Sequence, residues 1–316
     1  MNGCKRILSI ILMSVILTGC SQRSSEIMLI ENEPSEEQEH MFLSVFGYKA
    51  DALNLIAIEK ILNRFMEENP DIIVNYEGVK GIEYWKAFER RAEANVLDDV
   101  FMVDHDRVIN MADKGKLADL SSLSTIENYQ DRMKEQFISE DGSVYFLPTC
   151  ISFYGLYINY SLLEAHGQKV PENWSDFMEV CDYFAAKGIT PVIANNYASL
   201  RKLIAAKSLY SVYQQDTASA IKEFNREPAK LANTLRPGIE MVEEMIERKW
   251  IDCAEVLETE QTSDDLKLFV GGNRPFMVTG GWAAIRVKNM EPDFSYGVHA
   301  FPILDDGSVL VVGGTT

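Results

Sequence analysis

The sequence predicts an α/β protein with two lobes. Short β-branched or aromatic runs alternate with longer runs whose apolar residues recur at helical spacing, and that alternation is typical of a mostly parallel sheet covered by helices. About 275 residues follow the first forty, a length that favours two lobes over a single hydrophobic core. We find no internal repeat and no second apolar segment of membrane-spanning length.

The N-terminus has the pattern of a lipoprotein signal peptide. Lys5 and Arg6 precede an apolar run over residues 7–17, which is shorter than the roughly 20 residues of a transmembrane helix. Leu17-Thr18-Gly19-Cys20 resembles a bacterial lipobox. We therefore predict a signal over residues 1–19, a lipid on Cys20, and location on the extracytoplasmic face of the cell membrane. An ordinary secretory signal with an incidental cysteine is the alternative.

Residues 20–40 predict a flexible tether. They contain six glutamates and one short apolar patch, which is too little apolar surface to offset the entropy of ordering.

The chain is strongly acidic once the predicted signal peptide, which contains Lys5 and Arg6, is removed. It then has 28 basic and 48 acidic side chains, a formal charge of −20. Such a field repels polyanions, so nucleic acid is excluded as a partner.

Three cysteines remain after the tether, namely Cys150, Cys181 and Cys253. An odd number without C-x-x-C spacing predicts buried or half-buried thiols and neither a disulfide framework nor a zinc site. Asp104-His105-Asp106 could hold a metal, but adjacent ligands rarely converge on one ion. We expect no cofactor and no metal.

The first half of the folded part predicts strand, helix, strand, helix, strand. The strands cover about residues 41–46, 72–76 and 100–103, and the helices run from about residue 55 to 65 and from 83 to 95. Asp141-Gly142 then predicts a hairpin between residues 137–138 and 144–147.

The second half begins with an aromatic-rich strand over residues 151–159. Helices are predicted at about 161–166, 174–187, 198–213, 218–226, 238–250 and 264–270, followed by a strand over 275–278. Gly167 and Gly188 end the first two helices, and Asn173 with Asp176 predicts a capping box at the start of the second.

Four phrases resemble the family 1 extracellular solute-binding proteins, the maltose-binding-protein-like receptors of ABC importers. They begin at Leu97 (LDDVFMVD), Asp141 (DGSVYFLP), Tyr154 (YGLYIN, continuing through Gly167 and Trp174 to KGITP) and Phe269 (FVGGNRPFMVTGGW). Asp98 replaces the family's usual proline in the first phrase. Each phrase is weak alone, but all four occur in the family's order.

The resemblance implies a two-lobe periplasmic-binding-protein type II fold. Lobe one would cover residues 41–150, lobe two 151–309, and residues 310–316 would start a second crossing between lobes. Because family members continue beyond this point, the chain is predicted to be truncated at its C-terminus, with lobe one incomplete. The implied function is capture of a sugar or oligosaccharide by closure of a hinge, followed by delivery to ABC permease subunits by a monomeric, non-enzymatic protein.

Ligands of such proteins bind at loops that leave the carboxyl ends of strands. Sugars stack on aromatic rings and pair their hydroxyls with polar side chains. The candidate ligand-binding residues, which lie at strand ends or, for Tyr154, near the first crossing, are Tyr48, Glu77, Asp104, Tyr154, Asn195, Asn196, Gly281 and Trp282. Gly280-Gly281 would let the backbone approach a ligand. Core packing is the alternative for the rings, His105 is expected at the surface, and Trp85 and Trp174 are assigned to packing.

Two other functions remain open. The closer one is the same fold with a non-sugar solute, such as a polyamine, an amino acid or an iron complex, because an acidic surface suits a cation. The more distant one is a glycoside hydrolase, since paired carboxylates such as Asp98 and Asp99 are frequent. Neighbouring residues of a strand point to opposite faces, however, and the sequence contains no familiar hydrolase or nucleotide motif.

Overall fold

The computed structural model describes residues 27–32, 40–139, 141–195, 199–215, 217–259, 264–306, 309–310 and 313–315. They form two compact units, one ending at Asp104 and the other beginning at His105. Each has its own sheet and helices, which confirms the α/β prediction. The division precedes the predicted lobe boundary at residue 150, because residues 105–150 cluster with the second unit. The signal peptide, Cys20 and most of the tether lie outside the described residues.

The unit that ends at Asp104, here unit 1, contains a four-stranded sheet. Its elements are β1 (Ile27–Ile30), β2 (Met41–Gly47), α1 (Ala52–Glu68), β3 (Ile72–Val79), α2 (Gly81–Ala94) and β4 (Val100–Phe101). The strand order is β1-β3-β2-β4, and β2 is parallel to both β3 and β4. The parallel arrangement predicted from the sequence is therefore confirmed for these three strands.

β1 corrects part of the tether prediction. Its four residues pair antiparallel with β3, from Ile27 opposite Val79 to Ile30 opposite Tyr76. Asn32 secures the end, because its backbone N–H donates to Asn75 Oδ1 at 2.8 Å and its Nδ2 donates to the Val74 carbonyl at 2.7 Å. An apolar run gains hydrogen bonds and partial burial at an open sheet edge, although the surrounding composition favours disorder.

The second unit, unit 2, begins with irregular structure and short helices. Its elements are α3 (His105–Asp113), a 3₁₀ turn (Ser124–Asn128), α4 (Asp131–Phe137), β5 (Ile151–Asn159), α5 (Tyr160–Ala165), α6 (Trp174–Ala186), β6 (Val192–Ile193), α7 (Arg201–Tyr213), α8 (Thr217–Arg226), α9 (Pro228–Glu247), α10 (Cys253–Glu258), α11 (Asp264–Val270), β7 (Phe276–Gly280), α12 (Ala283–Asn289), β8 (Tyr296–His299), β9 (Phe301–Pro302), β10 (Val309–Leu310) and β11 (Gly313–Thr315).

The main sheet of unit 2 has the order β11-β5-β7-β6, with β8 also paired to β5. β6 is parallel to β7, whereas β5 is antiparallel to β7, β8 and β11, so this sheet is mixed rather than mostly parallel. The core beneath it is rich in aromatic rings, including Phe177, Trp250 and Phe276, each with no exposed area. Trp174 packs on Phe177 with ring centroids 5.5 Å apart, which confirms its assignment to packing.

Local sequence signals explain where several elements begin and end. Asn173 caps α6, since its side chain accepts the Asp176 N–H at 2.8 Å. The Asp176 carboxylate accepts from Glu172 N–H at 3.1 Å, one residue earlier than a capping box requires. Gly188 follows with φ of 76°, a conformation that favours glycine. The predicted hairpin is reduced to a single bridge between Ile138 and Val144.

α9 departs from the sequence prediction because it starts at Pro228 and not at Gly238. Pro237 lies inside it. Ser208 of α7 compensates for the disturbed helix, since its hydroxyl donates to the Leu235 carbonyl and accepts from Gly238 N–H, both at 2.9 Å. A Cβ on Gly238 would lie 2.8 Å from the Ile204 carbonyl carbon, so glycine permits the two helices to cross closely.

The thiols differ from the prediction in their exposure. Cys181 is fully buried in the unit 2 core, as expected, whereas Cys150 and Cys253 are exposed. Within the described residues, no helix is both long and apolar enough to cross a membrane.

Candidate functional site

The site in unit 2 lies where β6 and β7 end. These strands are parallel, with Val192 opposite Phe276 and Ile193 opposite Met277. They therefore leave the sheet at the same edge, where the antiparallel strand β5 begins. Side chains just after β6 and β7 and in the first half of β5 are brought together there, which is the position expected for a ligand site in an α/β sheet.

An aromatic pair forms the exposed surface of this edge. Tyr154 of β5 and Trp282 after β7 are both half-buried, with ring centroids 5.6 Å apart and planes at 76°. Lys202 of α7 places its Nζ 5.2 Å from the Tyr154 ring centroid. The structure thus groups two predicted residues, and adds a lysine that the sequence did not single out. Such rings offer flat apolar faces, and the ammonium group offers hydrogen-bond donors.

The paired glycines have roles other than the one predicted. A Cβ on Gly280 would overlap the six-membered ring of Trp282, so the absent side chain makes room for that ring and not for a ligand. The Gly280 carbonyl accepts from the buried Tyr157 hydroxyl at 2.9 Å. Gly281 is exposed, and its N–H donates to the Phe153 carbonyl at 2.6 Å. Ligand contact by Gly281 stays a prediction.

Asn195 follows β6 at the same edge of the sheet. It is 2% exposed, and its Nδ2 donates to the Asp265 carboxylate at 2.9 Å. Its amide nitrogen is therefore used within the protein, and a direct ligand role stays a prediction. Asn196, the other predicted asparagine, lies outside the described residues. Asp265 was missed by sequence analysis, because nothing in the sequence distinguishes a buried acid from the neighbouring Asp264.

The unit 1 candidates lie at the carboxyl ends of β2 and β4. Tyr48 follows β2 directly, and its ring is half-buried, 5.4 Å from Tyr84 and 6.0 Å from Trp85. The Tyr84 hydroxyl donates to the Met102 carbonyl after β4, and burial raises the pKa of Tyr84 well above its usual value. Trp85 is half-buried beside Tyr48, a predicted ligand residue. The sequence analysis had assigned Trp85 to packing, and its position now makes it a candidate ligand contact as well.

Glu77 does not follow β3, as the sequence analysis placed it, but lies inside that strand. β3 continues to Val79 because it pairs with β2 on one edge as far as Gly78 and with β1 on the other edge as far as Val79. The Glu77 carboxylate accepts from Arg91 of α2 at 2.7 Å, and Arg91 also binds Asp98 at 2.6 Å and stacks 3.9 Å from the Phe46 ring centroid. Glu77 therefore belongs to a structural ion-pair network.

A groove of about 410 Å³ lies beside this network in unit 1, lined by Ile27, Glu77, Val79, Glu83, Ala87, Arg90, Arg91 and Val96. It runs between β1 and α2 and includes Val79, the last residue of β3. Its lining is mostly charged or aliphatic, with no aromatic ring, which distinguishes it from the aromatic surface of unit 2.

The acidic run after β4 lies at the division between the two units. Asp104 ends unit 1, and His105 opens α3 with its exposed ring 5.2 Å from Phe146. Surface exposure of His105 is as predicted. Within the described ranges, no three His, Cys, Asp or Glu side chains are grouped closely enough to hold a metal ion.

The family model for bacterial extracellular solute-binding proteins matches residues 60–316. The chain belongs to this family. Among curated proteins, it is 23% identical over 318 residues to the multiple sugar-binding protein of Streptococcus mutans serotype c, covering 96% of this chain and 70% of that protein. It is 24% identical to the maltodextrin-binding protein MdxE of Bacillus subtilis, covering 79% of this chain but only 58% of MdxE.

Among solved structures, this solute-binding protein resembles apo RafE from Streptococcus pneumoniae, with a TM-score of 0.64 and 21% identity over 89% of this chain and 72% of RafE. A structure of RafE in complex with raffinose gives a TM-score of 0.60. These likenesses show the fold, and they confirm the predicted substrate-binding-protein architecture. The family comprises binding proteins and not enzymes.

Proposed function

We propose that this protein captures a sugar or short oligosaccharide outside the cytoplasm and delivers it to the permease subunits of an ABC importer. The observation that carries the proposal is the pair Tyr154 and Trp282, whose half-buried rings meet where β5, β6 and β7 converge. Sugars present apolar C–H faces that pack on such rings, and the relatives named as sugar- and maltodextrin-binding proteins support a carbohydrate ligand.

A sugar fits this surface better than a cationic solute does. Lys202 already holds a positive charge 5.2 Å from the Tyr154 ring, and a polyamine would meet like charge there. The same ammonium group can donate hydrogen bonds to neutral hydroxyls. In unit 1, Tyr48, Trp85 and Asp104 are proposed as further ligand contacts.

Thermal melting tests the carbohydrate proposal. The protein is titrated with monosaccharides, maltodextrins and raffinose-type oligosaccharides, and a sugar that binds the native state at 100 times its Kd should add about 2.7 kcal/mol of stability. Trp282→Ala and Tyr154→Ala should lose the shift. Phe153→Ala is the matched control, because Phe153 is 52% exposed and points to the opposite face of β5. No shift with any sugar would refute the carbohydrate ligand.

The membrane attachment is a separate proposal, which rests on the lipobox-like residues Leu17 to Cys20. Cells grown with a labelled fatty acid should label the wild-type protein and leave Cys20→Ser unlabelled. Equal labelling, or none in either protein, would refute lipidation while leaving the ligand proposal intact.

A further inference from the structure

A buried carboxyl group of α11 is hydrogen-bonded to the end of β6, next to the strand ends that lead to the aromatic surface of unit 2. Asp265, the second residue of α11, is 1% exposed. Burying a carboxylate costs several kcal/mol unless hydrogen bonds replace its hydration. No ion pair to Asp265 occurs among the described residues, so hydrogen-bond donors alone compensate the group. Burial raises its pKa, an effect that these hydrogen bonds oppose.

The groups around the carboxylate come from elements that meet at the site. Asn195 Nδ2, after β6, donates to Oδ2 at 2.9 Å, and the Leu266 N–H donates to Oδ1 at 2.9 Å. The Thr279 hydroxyl of β7 lies close enough to the carboxylate to lower its pKa. Asn195 and Thr279 are both two residues beyond the paired positions Ile193 and Met277, so the carboxylate joins two adjacent strands where their backbone ladder stops.

Each strand end that Asp265 holds continues into the aromatic surface. Thr279 immediately precedes Gly280, whose missing side chain makes room for the Trp282 ring. Asn195 lies beside Ser199, which accepts the Asn195 N–H and donates to the Val278 carbonyl. Ser199 leads into α7, the helix that contains Lys202. The positions of Trp282 and Lys202 therefore both depend on groups that meet at Asp265.

We propose that Asp265 is the positioning residue of the unit 2 binding surface, where its carboxylate fixes the ends of β6 and β7 and thereby sets the placement of Trp282. The group does not touch the ligand itself. This inference rests on the proposed function only for its effect on affinity, because the placement of Trp282 can be measured without a ligand.

The test uses Asp265→Asn in the full chain. An amide at this position points a donor at the Asn195 donor, so either the bond that joins α11 to β6 is lost or the Asn195 amide must turn over and give up its present contacts. With fluorotryptophan incorporated, the fluorine resonance of Trp282, assigned by its absence in Trp282→Phe, should shift. The affinity for the sugar found by thermal melting should fall about tenfold. Asp264→Asn, which removes an exposed charge one residue away, should change neither.

The reciprocal exchange Asn195→Asp with Asp265→Asn separates positioning from general stability. In this double variant the amide oxygen keeps the Leu266 N–H, and the amide nitrogen takes the place of Oδ2 and donates to the new carboxylate. The Trp282 resonance should return towards its wild-type position. Thr279→Val, which removes one donor with little change in volume, should shift the resonance even if Asp265→Asn fails to fold.

An unchanged Trp282 resonance in both Asp265→Asn and Thr279→Val would overturn the proposal. So would a resonance in the double variant that is no closer to wild type than in the single variant. If the wild-type protein binds no sugar but the resonance responds as described, the sugar proposal fails and the positioning role of Asp265 stands.

Discussion

Replacing Gly280 with alanine should displace the Trp282 ring. The added Cβ would occupy the space of that ring. The backbone of Gly280 is held in place, because Gly280 is a β7 residue paired with Tyr154. The ring must rotate away, which also breaks its edge contact with Tyr154. Overpacking of this kind costs about 1–3 kcal/mol.

The cost can be converted into two measurable quantities. Unit 2 spans His105–Thr316, and for about 200 residues each kcal/mol lowers the melting temperature by about 2–4 °C. Gly280→Ala should therefore melt about 2–12 °C below the wild type in a calorimetric scan. Because the displaced ring is the proposed stacking surface, sugar affinity measured by titration calorimetry should fall at least about tenfold, or about 1.4 kcal/mol.

Gly281→Ala, one residue away, provides the matched control for the melting temperature. Its added Cβ would lie 3.4 Å from the Phe153 carbonyl oxygen, an ordinary contact, and neither glycine has a positive φ. Both substitutions reduce the entropy of the unfolded chain equally, so their difference isolates the ring. Equal melting temperatures in the two variants would refute this explanation of Gly280.

Three further predictions concern stability. Gly238→Ala should destabilise unit 2 by about 1–3 kcal/mol in urea unfolding, despite the better helix propensity of alanine, because the Ile204 carbonyl blocks the methyl group. Glu240→Ala, at an exposed position of the same helix, should change the stability by no more than about 0.5 kcal/mol. A Gly238→Ala variant more stable than the wild type would contradict the close crossing. Arg91→Ala should lower the stability of unit 1 by about 1–2 kcal/mol in urea unfolding, because it removes two ion pairs and the contact with the Phe46 ring. Arg64→Ala, whose partner Glu68 is exposed, should lower it by less than about 0.5 kcal/mol. Equal effects of the two substitutions would count against the network. Burial raises the pKa of Tyr76 to about 12, so the neutral phenol contributes its full stability to the folded state below the usual pKa near 10. That contribution is lost as pH rises towards 12, because the tyrosine ionises first in the unfolded state. Melting temperatures measured from about pH 9 to 12 should show this fall, and Tyr76→Phe should make the fall smaller.

Long periodic segments were predicted well because their pattern and their burial agree. β5 occupies residues 151–159 as predicted, and α11 and α6 begin at the predicted residues. Asn173 and Gly188 supply local signals at both ends of α6, and these act through hydrogen bonds only a few residues away.

The errors arise where distant contacts decide the structure. Pro237 and Gly238 read as a helix start, but Ser208 of α7 supplies the hydrogen bonds that keep the helix continuous. Ile27–Ile30 was predicted to be part of the tether, but in the structure it pairs with the open edge of β3. In the site, Tyr154 and Trp282 were each named as candidates from the sequence, but their contact with one another was not predicted. Glu77 and Asp265 depend on partners that no local pattern reveals.

The pairing of β1 also bears on the proposed lipid anchor. Ile27 lies seven residues after Cys20, so a lipid on Cys20 would hold the start of β1 within about 25 Å, whereas Met41, twenty-one residues after Cys20, could lie about 70 Å away. The four-residue strand would thus shorten the reach of the folded protein about threefold and reduce the volume that it explores by more than an order of magnitude. For the lipidated protein, the local concentration at a membrane partner would rise by the same factor, without any contact between them.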